Sequence, residues 1–169
     1  MTASLVQFCT FALDGLWFGV AVDRVQEIVR QQRFTRVPLA PPVIHGLLNL
    51  RGQIVTVMDL RRRLELPDRA TSTTPMNVVI RTEDGLVSLL VDQIGDVIVV
   101  ATETRDDPPS TLTGAARELI RGAYQLPSRL LLEFDLDRAL TLDASQTTSR
   151  YAGEPAGVSP RTSLKSSGG

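Results

Sequence analysis

The chain has 169 residues, 43% of them hydrophobic, and a formal net charge of −1. That is enough apolar material to bury a core as one domain or two small fused subdomains. A charge near zero gives no long-range positive field to hold a polyanion, so nucleic acid is not expected as a partner.

From the N-terminus, Leu5 to Leu13 is β-branched and aromatic in flavour, and Asp14-Gly15 is a two-residue hairpin signal leading to Trp17, Phe18, Val20 and Val22. Leu16 and Trp17 are apolar where a hairpin tip is normally polar. They either pack inward or form a small exposed contact patch. Asp23 is placed to cap one helical turn containing Arg24 and Val25, after which Glu27 to Arg30 resumes an extended pattern. Glu27 reads as an outward strand residue or as a partner-facing carboxylate. Phe34 to Val37 is a further short extended piece, and Pro38, Pro41 and Pro42 exclude a regular helix or central strand across the connector that follows.

The connector leads to Gly46–Leu60, GLLNLRGQIVTVMDL. Two apolar runs meet there at Arg51 and Gly52, which predicts strand, tight turn, strand. Leu48 and Leu50 fall on one face of the first strand, and Val55 and Val57 share a face of the second. Asp59 is a natural N-cap for a short helix in which Leu60 and Leu64 point inward. Arg61, Arg62 and Arg63 cover its other faces, and such a run is usually a solvated helix surface.

A Thr-rich loop at 67–75 ends one half of the pattern. Val78 to Ile80, the Glu83-Asp84-Gly85 turn and Leu86 to Val91 then make a hairpin. Asp92 and Asp96 flank a corner before Val97 to Val100; without further oxygen ligands at loop spacing they read as turn residues and not as a metal site. Residues 105–113 form an irregular loop. Leu119 to Tyr124 is a strand, Pro127-Ser128 a turn, Leu130 to Phe134 the return strand, and Asp135 to Leu140 a closing short helix. Strand, then Asp-Leu, then charged helix thus occurs twice. From Ser145 onward, 15 of 25 residues are Ser, Thr, Gly or Pro, so 143–169 is expected to be a disordered tail.

The inventory removes most chemistry. His45 is the sole histidine, Cys9 the sole cysteine, and Lys165, in the tail, the sole lysine. Zinc sites built on several histidines, Schiff-base lysines in the folded part and phosphate-loop lysines are excluded. Cys9 lies in an apolar run and reads as a small packed hydrophobe, and His45 reads as a solvated loop residue after the prolines. No catalytic residue, cofactor or metal is expected. No run of 18 apolar residues and no signal-peptide pattern occurs, so a soluble, cytoplasmic protein without membrane insertion is expected. Many short strands with closely spaced turns indicate an all-β barrel or sandwich class.

In order, FALDGLWFGVAVDRVQEIVR, the proline connector, HGLLNLRGQIVTVMDLRRRL, LLVDQIGDVIVV and LIRGAYQLPSRLLLEFDLDRAL resemble the signatures of the CheW-like domain of bacterial chemotaxis coupling proteins, across about residues 5–142. The resemblance implies one domain over 1–142, built of two five-stranded SH3-like β-barrel subdomains. One would take about residues 14–82, the other 5–13 plus 83–142. It also implies a non-enzymatic adaptor that couples chemoreceptor cytoplasmic tips to the histidine kinase CheA, through the CheW-like regulatory domain of that kinase. Matched to the family's contact positions are Arg51, with Asn49 and Gly52 beside it, and Val25, Glu27 and Ile28 of the VQEI segment. Thr56, Ser88 and Glu133 depart from the family's usual proline, glycine and apolar residue, and Glu133 is expected to face solvent. Leu16 and Trp17 replace a usually charged tip, which suggests an extra contact. The family frame leaves open a chemosensory pathway controlling pili or biofilm. A remoter alternative is an SH3-like module binding nucleic acid through Arg30, Arg33, Arg36 and Arg61 to Arg63.

Overall fold

The computed structural model describes residues 3–30 and 33–141; the expected tail at 143–169 lies outside them. The strands are β1 (Leu5–Leu13), β2 (Leu16–Ala21), β3 (Val25–Arg30), β4 (Phe34–Thr35), β5 (Ile44–Leu50), β6 (Gln53–Asp59), β7 (Met76–Thr82), β8 (Gly85–Val91), β9 (Gln93–Ala101), β10 (Ile120–Gln125) and β11 (Leu130–Phe134). Among the described residues there are also three short helices, α1 (Leu60–Arg63), α2 (Gly114–Leu119) and α3 (Leu136–Leu140), and single 3-10 turns at Val22–Arg24 and Thr102–Thr104.

These strands form two sheets, ordered β10-β11-β2-β1-β9 and β3-β7-β8-β6-β5-β4. Each is built on the same plan. A tight hairpin, β1–β2 or β7–β8, lies between an antiparallel edge strand, β9 or β3, and a parallel strand, β11 or β6. An aspartate at the end of that parallel strand (Asp59) or just after it (Asp135) caps a short helix. Asp59 accepts a hydrogen bond from the Arg61 amide at 3.0 Å, and Asp135 accepts one from the Arg138 amide at 3.1 Å. The repeated strand-Asp-Leu-helix pattern is therefore a repeated fold unit, an SH3-like barrel, threaded in a different chain order in each copy. In the first barrel, Asp106 exchanges two backbone hydrogen bonds with Ala123 and ties the segment after β9 to β10.

The division expected at residues 14 and 82 is corrected by the sheets: β2 pairs with β1 in the first sheet, and β8 pairs with β7 in the second. The hairpins stay whole because a two-residue turn makes sequential strands adjacent. Four local expectations also change. The strand at Phe34 stops at Thr35, ahead of a turn at Pro38-Leu39. His45 lies in β5 and not in a loop, its ring 3.9 Å from that of Phe34. Asp23 caps nothing with its side chain, since the 3-10 turn is entered from Ala21 without a side-chain cap. Leu119 ends helix α2, a helix that was not expected, and the strand begins at Ile120.

Apolar residues from both sheets meet in one cluster. Phe11, Leu13, Phe18 and Val20 come from the first, Met58, Val78, Ile80, Leu89 and Val91 from the second, and Leu60, Leu64, Leu136 and Ala139 from helices α1 and α3 or their ends. Phe11 and Phe18 stack at 5.7 Å, with Phe134 edge-on to each at 6.2 Å. Because the largest core crosses between the barrels, neither can lose its packing without exposing the other. Cys9 is buried in this cluster.

Candidate functional site

Arg51 and Gly52 form the two-residue turn between β5 and β6, closing on the Leu50–Gln53 pair. Both have positive φ, 53° and 86°, the geometry of a type I′ turn, whose first position usually holds asparagine or glycine. The turn is held by Asn49, whose Oδ1 accepts the Gly52 amide hydrogen bond at 2.9 Å. A Cβ on Gly52 would meet nothing within 4 Å, so its backbone conformation alone calls for glycine.

Arg51 carries its guanidinium over to β3, where Nη2 donates to Glu27 Oε2 at 3.1 Å. The two ends differ sharply in exposure, 80% for the Arg51 side chain against 20% for Glu27. β3 alternates half-buried Val25, Glu27 and Val29 with exposed Gln26, Ile28 and Arg30. Glu27 is thus not an outward strand residue. It is a half-buried anchor that aims the arginine and leaves most of the five guanidinium donors facing solvent. The structure brings Arg51, Asn49, Gly52 and Glu27 together. Val25 packs against the main core, and Ile28 lies exposed on the other face of β3.

Leu16 and Trp17 lie in the first barrel. Leu16 is exposed at the β1–β2 turn, while Trp17 is half-buried against the satellite cluster of Phe8, Val100, Tyr124 and Leu131. The Arg129 guanidinium lies over its ring at 4.1 Å, a cation–π contact.

The arginine run is not a solvated surface. Arg61 is 11% exposed: Nη2 meets Asp92 Oδ2 at 2.6 Å, Nε donates to Asp92 Oδ1 at 2.9 Å, and Nη1 donates to the Pro67 carbonyl at 2.7 Å. Arg69, also 11% exposed, donates from Nε to Asp92 Oδ1 at 2.8 Å. Asp92 accepts the Asp14 amide at 3.0 Å as well, and so joins α1, the loop after it, the β1–β2 turn and the β8–β9 corner. Burial works to raise the Asp92 pKa, but hydrogen bonds from Arg61, the Asp14 amide and Arg69 outweigh it and hold the carboxyl below its ordinary value. Arg63 is buried and donates to the carbonyls of Ala139 at 2.9 Å and Arg138 at 3.3 Å, closing the end of α3. Arg62 alone is half-exposed. The clasp at Asp92 was not expected. Its one sequence signal is an aspartate at the corner that ends an apolar strand.

Two departures from the family pattern are resolved within the barrels. Ser88 is fully buried and its hydroxyl donates to Asn77 Oδ1 at 2.9 Å, so the added polar atom is satisfied. Glu133 does not face open solvent, since it pairs with Arg105 at 3.1 Å and its side chain is mostly covered.

Among the described residues no group of three or more His, Cys, Asp or Glu side chains is arranged to hold a metal ion. Burial pushes the Cys9 thiol up, away from the thiolate that nucleophilic chemistry needs. No helix among the described residues is long and apolar enough to cross a membrane.

Residues 7–144 match the family model of the CheW-like domain. Chemotaxis protein CheW of Bacillus subtilis (strain 168) is 31% identical over 137 residues, covering 81% of this chain and 88% of the relative. A more distant relative, protein PilI of Pseudomonas aeruginosa, is 24% identical over 119 residues, 68% of this chain and 64% of that protein. The crystal structure of the scaffolding protein TtCheW from Thermoanaerobacter tengcongensis superposes with a TM-score of 0.73 at 22% identity, covering 84% of this chain and 92% of that one.

Proposed function

Because the chain belongs to the CheW-like domain family, we propose that it is a non-enzymatic adaptor that couples chemoreceptor cytoplasmic tips to the histidine kinase CheA in membrane-associated signalling arrays. The observation that carries this reading is the Arg51 turn. A left-handed hairpin tip holds an exposed guanidinium fork, aimed by one half-buried carboxylate. A fork of this kind pairs with a carboxylate or with the free carbonyls at the end of a partner helix. Glu27 sets its direction, Asn49 and Gly52 set its backbone, and Ile28 adds exposed apolar surface on the same strand as Glu27. Exposed Leu16, at the turn of the other barrel, forms an additional contact, with Trp17 next to it in β2 and Arg129 over the Trp17 ring.

Pull-down from native lysate tests the reading. The wild-type chain is expected to recover a receptor and a CheA-type kinase, and Arg51→Glu to lose the receptor while its melting temperature stays within a degree or two. Retained receptor binding by Arg51→Glu would remove that residue from the interface. A second reading keeps the same role in a chemosensory pathway that controls pili or biofilm; it is supported only by the more distant match to protein PilI. The identity of the recovered partners separates the two. A nucleic-acid module is disfavoured because Arg61 and Arg63 are engaged inside the fold.

A further inference from the structure

Leu39 is 88% exposed, the most exposed large apolar side chain among the described residues. Its backbone is also left-handed, with φ of 63°. Pro38 and Leu39 are the two central residues of a turn in which the Ala40 amide donates to the Val37 carbonyl at 3.3 Å. Proline first and a positive-φ residue second is the type II pattern, whose second position is the natural place of glycine or asparagine. A branched apolar residue there is strained, and this one gains no burial in return.

The loop is not a loose segment in which such a residue could relax. The Ile44 amide donates to the Pro41 carbonyl at 2.9 Å, the Asp59 amide to the Val43 carbonyl at 2.8 Å, and Arg62 Nη1 to the Pro42 carbonyl at 3.3 Å. At its base, a Cβ on Gly46 would meet the Thr35 carbonyl oxygen at 2.6 Å, so β4 and β5 are pressed together. Fixed strain without an internal gain points outward, to a contact that the isolated chain does not contain.

The surroundings specify its chemistry. Arg33 and Arg36 are exposed on the same short segment, and neither has a carboxylate partner among the described residues. Val37, beside the turn, is exposed as well. An apolar knob flanked by uncompensated arginines fits a protein surface with an apolar socket rimmed by carboxylates. The position matters too. β5 runs from this loop to the Arg51 turn, so the two features stand at opposite ends of one strand, about 20 Å apart at the usual rise per residue.

We propose that the Val37–Ala40 turn is a second docking site, in which Leu39 enters an apolar socket on an acidic partner protein other than the one engaged by Arg51. The inference rests on the adaptor reading, because a bridge needs two contacts that do not overlap.

The test titrates the full chain calorimetrically against each of the two purified proteins recovered in the pull-down, and against phosphatidylcholine vesicles containing phosphatidylserine. Leu39→Asn suits the left-handed position, so it is expected to melt at or above the wild-type temperature. It should nevertheless bind one partner about tenfold or more weakly and the other unchanged. Arg33→Glu with Arg36→Glu should weaken the same partner, and Arg51→Glu the other. Wild-type affinity of Leu39→Asn for both proteins overturns the docking site alone, whereas a wild-type chain that binds neither overturns the adaptor reading and the site together. A lowered melting temperature in Leu39→Asn, loss of the same partner as in Arg51→Glu, or Leu39-dependent binding to vesicles in place of proteins would each also overturn it.

Discussion

Replacing Asp92 by alanine is expected to be among the most damaging polar substitutions in this chain. The carboxylate receives hydrogen bonds from Arg61, Arg69 and the Asp14 amide, and its side chain is only 10% exposed. Its removal leaves two guanidinium groups, each 11% exposed, without their main counter-charge. Breaking a buried pair from one side costs about 3–5 kcal/mol. Arg61 keeps the Pro67 carbonyl and a distant contact to Asp14 at 3.8 Å, and Arg69 keeps Asp59 at 4.0 Å, so about 2–4 kcal/mol is expected here. Urea unfolding of the full chain followed by circular dichroism reads this as a midpoint lowered by about 1–2 M. The effect also has a sign in pH. A carboxyl held below its ordinary value contributes stability that is fully present above the unfolded-state pKa, about 3.9. That contribution disappears as pH falls through the lower folded-state value. The gap between wild type and Asp92→Asn should therefore be constant near neutrality and narrow at pH below about 4. A loss under about 0.5 kcal/mol at pH 7 would place the clasp with ordinary surface ion pairs and not with buried ones.

Three further outcomes follow from the same geometry. Ser88→Ala leaves the buried Asn77 Oδ1 without its 2.9 Å donor and should cost about 1–3 kcal/mol in the same urea experiment; a neutral result would mean that Asn77 finds another partner. Gly52→Ala must hold an L-residue at φ of 86°, so a destabilisation of about 1 kcal/mol is expected, read as a lowered melting temperature with strand content unchanged in circular dichroism. Glu27→Ala frees Arg51 from its one ion pair among the described residues. Stability should change by less than about 1 kcal/mol while receptor binding weakens, and calorimetric titration that finds unaltered affinity would show that the fork needs no anchor.

The parts of this fold written in adjacent residues could be read from the sequence. Asp14-Gly15 gives its turn through access to positive φ, Glu83-Asp84-Gly85 gives its turn with positive-φ Gly85 opening the return strand, and Asp59 and Asp135 give their helices through side-chain caps. Leu48, Val55 and Val57 are buried as their alternation requires. Contacts between distant segments left no such mark. The parallel pairing of β11 with β2 and of β6 with β8 joins strands that no turn connects, which is why the barrel boundaries were misplaced. Three consecutive arginines look solvated until Asp92, some 31 residues away, is seen to close over Arg61. Helix α2 has no comparable local mark, since Thr113 at its N-cap makes no side-chain cap hydrogen bond. In the candidate site the arginine at the turn was visible, whereas the tie from Arg51 to Glu27, 24 residues apart, needed the folded sheet.

In the proposed role, this chain transmits receptor state to a kinase and Arg51 makes the receptor contact. The most direct measurement of that role is autophosphorylation of the co-purified CheA-type kinase in the presence of the receptor fragment, with and without this chain. Receptor control of the kinase is expected to require the wild-type chain and to disappear with Arg51→Glu at unchanged melting temperature. Equal receptor control with wild-type chain, with Arg51→Glu and with no chain at all would contradict it.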